Sequence, residues 1–281
     1  MDSEKYPVKK VILALLSLVV LVAAQVLAQL AGMGVGGSSP ALGNALAGVL
    51  YAALDLLGLW ALCRFGMKEP LSVYRIGPVR LKSVWCVTAA LMPALVCGVF
   101  LLLPGHWAEA ADRADTAVIL TVGIFYLGLG AGVVEEAVFR GVIMTALERR
   151  WGRGAAVLIP SILFGAVHIM GSELDVPSMI QLVLAGTMVG VLFSLVTLES
   201  GNIWNSAFIH GVWNCVILSV LCIGPEADPS ALFSYVPASS NFLLTGGDFG
   251  VEASVVSVAA YAAFAALAYW LLRRQNRKIP A

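Results

Sequence analysis

Eight stretches of this 281-residue chain stay apolar for close to the length needed to cross a lipid bilayer, which for a helix is about 20 residues. They lie roughly at 11–32, 41–63, 83–104, 116–147, 154–170, 178–198, 203–223 and 250–272. In lipid the backbone has no water to bond, so each stretch must be a helix that satisfies its own N–H and C=O groups. No ten-residue alternation of the kind that builds a membrane barrel is present. Composition points the same way: 60% of residues are hydrophobic and 12% charged, against about 25% charged in a soluble domain. One core of this size cannot bury that much apolar surface, so some of it must face lipid. The expected fold class is therefore all-α, a polytopic membrane protein with about eight transmembrane helices. No linker, repeat or low-complexity tract divides it, so residues 1–281 read as one integral membrane domain. The formal net charge is +0, and nothing points to a nucleic-acid partner. The five cysteines (Cys63, Cys86, Cys97, Cys215, Cys222) show no CxxC spacing and read as small core residues.

Basic residues orient the chain. Of the 17 Lys and Arg, all but Arg113 and Arg140 fall in the N-terminal tail, the 64–82 loop, the 149–153 loop or the C-terminal tail. In an eight-span arrangement these four segments share one side, which the positive-inside rule makes the cytoplasmic one, N-in and C-in. The opposite loops are acidic, with Glu109, Asp112, Asp115, Glu173, Asp175, Glu226, Asp228 and Asp248. Lys9 and Lys10 before the first run imitate a signal peptide, but the run is too long for one and reads as an uncleaved anchor. Met67–Lys82 is expected along the inner interface, and Gly224–Phe249, with Pro225, Pro229 and Pro237, as an irregular external connector.

Ionisable groups at bilayer depth cost about 2.5–3.5 kcal/mol each on insertion scales and mark function. Those that stand out are Asp55, Glu135, Glu136, Arg140, His168 and His210, the last with Asn214 on the same helix. His106, the third histidine, falls in an external loop. Glu136 and Arg140 are four apart, so they share a helix face and can pair. Glu135, about 100° around the helix, can point elsewhere and do proton work. A purely structural network of the two Glu and the Arg is the other reading of this segment alone. Phe164 and His168 also lie one turn apart, as do His210 and Asn214. Glu with His can activate and orient water; His with Asn can donate to a developing oxyanion. Glu135, His168 and His210 are also a plausible zinc set, although no HExxH occurs. No cofactor is firmly expected, and zinc is the one alternative.

The sequences Glu135-Glu136-x-x-x-Arg140, Phe164-x-x-x-His168 and His210-x-x-x-Asn214 resemble the EExxxR, FxxxH and HxxxN motifs of the CAAX protease and bacteriocin-processing (CPBP, or Abi) family of intramembrane proteases. That family includes the Ras-converting CAAX endopeptidases. The resemblance spans about 116–223, which marks the protease-like core. Phe139-Arg140-Gly141 and the 199–204 segment look like the bacterial branch, implying a bacterial cytoplasmic membrane. The resemblance implies hydrolysis of a peptide bond in a membrane-associated or CAAX-like substrate. By this resemblance Glu135 is the general base on water, His168 assists, His210 and Asn214 stabilise the oxyanion, and Glu136, Arg140 and Phe164 support them. The family is often labelled metalloprotease, while its CAAX branch favours a glutamate mechanism. The implied partners are the bilayer and a peptide or protein substrate. A non-catalytic immunity or partner-binding protein of the same fold is the first alternative; a small transporter with an acid-pair relay is the second. The span boundaries place Glu135 and His168 near mid-bilayer but His210 nearer the inner face.

Overall fold

The computed structural model describes residues 6–108, 115–170 and 173–278; the loop charges Lys5, Glu109, Asp112 and Arg113 lie outside them. Six of its helices are long and apolar enough to cross a membrane. These are α1 (Val8–Gly36), α2 (Pro40–Met67), α3 (Ser83–Leu102), α4 (Thr116–Val167), α5 (Val176–Ser200) and, after the shorter α6 (Trp204–Cys215), α7 (Val255–Arg277). Every one of the eight expected spans lies largely on helix. The fourth and fifth together form α4, which breaks into two arms at Gly152 (φ 83°, ψ 177°), a backbone conformation open essentially to glycine. The seventh is α6, 12 residues long and extended by 5 residues of wider π-type turn, Val216–Val220.

Local sequence explains the helix starts. Ser39 caps α2 by accepting from the Leu42 amide, with Pro40 in the first turn. Asp175 caps α5 by accepting from the Ser178 amide at 2.8 Å, the standard use of an Asx or Ser oxygen for an otherwise unpaired N–H.

A small sheet qualifies the all-helical expectation. Its order is β1 (Gly105–Ala108), β3 (Phe233–Pro237), β2 (Leu221–Ile223). β1 runs antiparallel to β3, with Gly105 opposite Pro237, and β2 runs parallel to it, with Leu221 opposite Phe233. The Gly224–Phe249 connector is thus ordered, with β3 and a helical turn at Phe242–Thr245. His106 is exposed on β1.

Among the described residues, the two larger of three buried clusters carry most of the packing. One gathers Tyr74, Phe139, Met144 and Phe164 beneath α1, α2 and α4. The other gathers Trp85, Phe100, Phe193, Trp213 and Tyr261 among α3, α5, α6 and α7. Leu57, Ile124, Leu158 and Leu184 are well exposed on the helix flanks, as residues that meet lipid rather than water should be. The five cysteines are all free, Cys63 and Cys97 buried. Asp55 is fully buried on α2, and neither carboxylate oxygen has a hydrogen-bond partner among the described residues.

Polar clamps tie the helix ends. Glu69 binds Lys10 at 2.8 Å and Arg149 at 2.9 Å, and also accepts from Tyr74. Glu199 binds Lys82 at 2.7 Å and Trp85 Nε1 at 2.8 Å, and reaches Gln275 on α7. The 67–82 segment is packed into the protein: Tyr74 and Ile76 are buried, and the Arg75 carbonyl accepts from the Ile203 amide at 3.2 Å.

Candidate active site

Glycine brings the acidic turn of α4 against α6. Gly132–Glu136 is a stretch of regular helix between two wider π-type segments, Val122–Ala131 and Ala137–Ile143. Such widenings are frequent at functional sites. A Cβ on Gly211 would stand 2.6 Å from the Gly128 carbonyl oxygen, and one on Gly132 3.0 Å from Gly211 Cα. The two backbones therefore touch, as small residues allow between membrane helices, and Glu135 and Glu136 arrive beside His210.

The same device positions His168. A Cβ on Gly186 of α5 would lie 2.6 Å from Gly165 Cα, so the second arm of α4 rides directly on α5. That arm ends at His168, whose Nδ1 is 2.7 Å from the Phe164 carbonyl oxygen. A carbonyl only accepts, so Nδ1 carries the proton and the tautomer is set. The Phe164 ring packs against His168 at 4.7 Å between centroids and edge-on to His210 at 5.8 Å.

Glu136 and Arg140 form a fully buried pair, Arg140 Nη1 to Glu136 Oε1 at 2.9 Å. The guanidinium lies 4.3 Å from the Phe164 centroid and 5.3 Å from that of Phe193, a favourable site for a desolvated cation. His210 Nδ1 lies 3.3 Å from Glu136 Oε1. Because that carboxylate is held by a permanent cation it accepts, so His210 donates through Nδ1. This turns Nε2 toward Glu135, 3.8 Å from its Oε2. Phe193 stacks on the His210 ring at 5.0 Å and 23°.

Glu135 differs from its neighbour. Its Oε2 is buried and has no hydrogen-bond partner among the described residues, yet the residue borders a cavity of about 250 Å³. The same cavity is lined by Phe164, His168, His210 and Asn214. Glu135, His168, His210, Asn214 and Phe164 therefore face one space, with Glu136 and Arg140 behind it. The depth separation expected for His210 is absent, because α6 starts inside the protein. Ile203, Asn205 and Ser206 are fully buried, and Trp204 Nε1 donates to the Gly77 carbonyl at 2.7 Å. Asn214 Nδ2 donates to the Leu127 carbonyl at 3.2 Å, in the first wide segment of α4.

Sequence reasoning missed Phe193, Trp213, Phe249 and Glu252, which also line the cavity. Glu252 had a signal: it is an acid inside the run 250–272. The helix actually begins at Val255, which leaves Glu252 in the preceding turn, Val251–Ala253. Phe193 had none, being one apolar residue among many on α5.

No group of three His, Cys, Asp or Glu side chains among the described residues is gathered closely enough to hold an ion.

Residues 117–216 match the family model described as Type II CAAX prenyl endopeptidase Rce1-like. That interval contains all three motifs and the helices that carry them. Comparison with curated proteins and with solved structures gave no match. The chain is an integral multi-pass membrane protein whose residues 117–216 are similar to the Rce1-like CAAX prenyl endopeptidases.

Proposed function

We propose that this protein is an intramembrane endopeptidase of the glutamate type, acting on a membrane-associated, CAAX-like substrate, with residues 116–223 as its catalytic core. The observation that carries the reading is Glu135 Oε2: a buried acceptor without a partner, 3.8 Å from His210 Nε2, on a cavity shared with His168 and Asn214. A buried carboxylate that bonds nothing is costly unless a ligand completes it. In the proposed mechanism Glu135 takes a proton from a water held with the help of His168, and the resulting hydroxide adds to the scissile carbonyl. The tetrahedral oxyanion is met by the second Asn214 amide hydrogen and by His210 Nε2–H, the imidazolium being stabilised by Glu136 on its far side. This is the logic of a carboxylate behind an imidazole in other hydrolases. Proton transfer of this kind contributes roughly 10²–10⁴ in rate. The proposed orientation is N-in and C-in.

The test is the cleavage product of detergent-purified protein on a CAAX peptide, farnesylated and unmodified, with and without chelator. Release of the three C-terminal residues, indifferent to chelator, supports the reading. Cleavage abolished by chelator and restored by zinc would overturn the glutamate mechanism, and intact peptide in every arm would overturn the CAAX substrate.

A further inference from the structure

Across the cavity from the motif residues stands a second acid that no motif contains. Glu252 lies in the turn that enters α7, and its Oε1 accepts from Trp213 Nε1 at 2.8 Å. Trp213 sits on α6 between His210 and Asn214 and packs edge-on to Tyr261, 5.2 Å between centroids. Three contacts fix the turn. Tyr261 Oη donates to the Glu252 carbonyl at 3.2 Å, Gln181 Nε2 donates to the Ala253 carbonyl at 3.0 Å, and Ser257 Oγ donates to the Val251 carbonyl at 2.6 Å. Glu252 is therefore held by the fold, in a position reached by both α5 and α7.

Its electrostatic setting differs from that of Glu136, held by Arg140, and Glu199, held by Lys82. No Lys or Arg forms an ion pair with it among the described residues. The titratable groups that face it are Glu135 and His168 of α4, His210 of α6 and Tyr261 of α7. Burial raises its carboxyl above the ordinary value, with Glu135 adding to the rise and Trp213, His168 and His210 opposing it. An acid whose one oxygen accepts from an indole and whose environment lacks a fixed cation is suited to keep a proton on the other oxygen.

We propose that Glu252 is the general acid of this site: it carries a proton on Oε2, facing the cavity, and delivers it to the leaving nitrogen of the cleaved peptide bond. The inference rests on the peptidase reading. The step balances. Hydroxide from water forms the new C–O bond while Glu135 takes the water's other proton. The C–N bond then breaks, its electron pair stays on nitrogen, and nitrogen takes the Glu252 proton. The products are a carboxylic acid and an amine. Glu135 is left protonated and Glu252 ionised, and one proton passed from Glu135 to Glu252 restores the enzyme. The two carboxyls thus divide base and acid work, as paired acids in other hydrolases do.

The test is Glu252→Gln in the purified full chain. Glutamine keeps an oxygen for the Trp213 N–H and the shape of the turn, but carries no transferable proton. On a quenched-fluorescence farnesylated CAAX peptide, kcat is expected to fall roughly 100-fold or more, with KM and Tm unchanged. The alkaline limb of the kcat–pH profile, set by loss of the Glu252 proton, should vanish. Infrared difference spectra at pH 7 should show a protonated-carboxyl band in wild type that Glu252→Gln lacks. Wild-type kcat and an unchanged alkaline limb in the variant, or no such band, would overturn the assignment. Wild-type inactivity would overturn the peptidase reading and the acid role together. The infrared band, which needs no substrate, separates that outcome from failure of the Glu252 assignment alone.

Discussion

His210 Nδ1 lies 3.3 Å from Glu136 Oε1, the same oxygen that accepts from Arg140 Nη1 at 2.9 Å. One carboxylate oxygen thus joins the buried cation to the imidazole that faces the cavity. The resemblance gives Glu136 a supporting role beside the other site residues; in the proposed mechanism this contact makes it the positioning residue for His210. Glu136→Gln should lower kcat on a CAAX peptide by about 10²-fold, since a neutral amide stabilises an imidazolium poorly. Arg140→Met should do more damage to the fold, because it leaves Glu136 buried and uncompensated, a loss of about 3–5 kcal/mol. Tm and kcat measured side by side for the two variants check both statements.

The crossing of α4 and α6 leaves no room for a methyl group. A Cβ at Gly211 would stand 2.6 Å from a backbone oxygen, that of Gly128, and backbone cannot swing aside as a side chain can. Gly211→Ala should cost about 1–3 kcal/mol as an overpacked contact and lower activity by shifting His210. Gly34→Ala on α1, where a Cβ meets nothing within 4 Å, serves as the comparison and should leave Tm level or slightly higher. Thermal unfolding in one detergent reads both.

Much of this was legible because intramembrane charge is rare and motif spacing is local. The spans follow from hydropathy, and the pairs 136/140, 164/168 and 210/214 follow from the helical repeat. That all of them meet could not be read from spacing. The meeting depends on Gly128, Gly132 and Gly211 at one crossing, on Gly165 and Gly186 at another, and on α6 beginning beneath the 67–82 segment rather than at the membrane surface. The count of passes was blurred at Gly152, where a positive φ breaks a helix that hydropathy divides into two spans. Glu252 is not legible in the sequence because its link to the site runs through Trp213, a contact between α6 and the turn before α7 that no local spacing encodes.

Glu69 lies between α2 and α3, outside the spanning segments. Burial works to raise its carboxyl, but hydrogen bonds from Lys10, Tyr74 and Arg149 outweigh it and hold the group below its ordinary 4.5. A depressed value in the folded state gives stability that is present above pH 4.5 and is lost as pH falls through the folded value. Glu69→Gln should therefore be less stable than wild type at pH 7, by of order 1 kcal/mol given the exposure of Arg149, and the difference should shrink toward zero below pH 4.5. Unfolding curves of the two proteins at pH 7 and at about pH 3.5 decide it.

In the proposed mechanism everything turns on Glu135 as the base. Its Oε2 has no hydrogen bond among the described residues to lose, so Glu135→Gln should fold as wild type does and differ only in chemistry. The measurement is the single-turnover rate of peptide-bond cleavage by wild type and Glu135→Gln at equal folded concentration, on the same CAAX peptide and in the presence of chelator. A loss of roughly 10²–10⁴-fold in the variant, with an unchanged Tm, is the expected result. A variant that cleaves at the wild-type rate would contradict it.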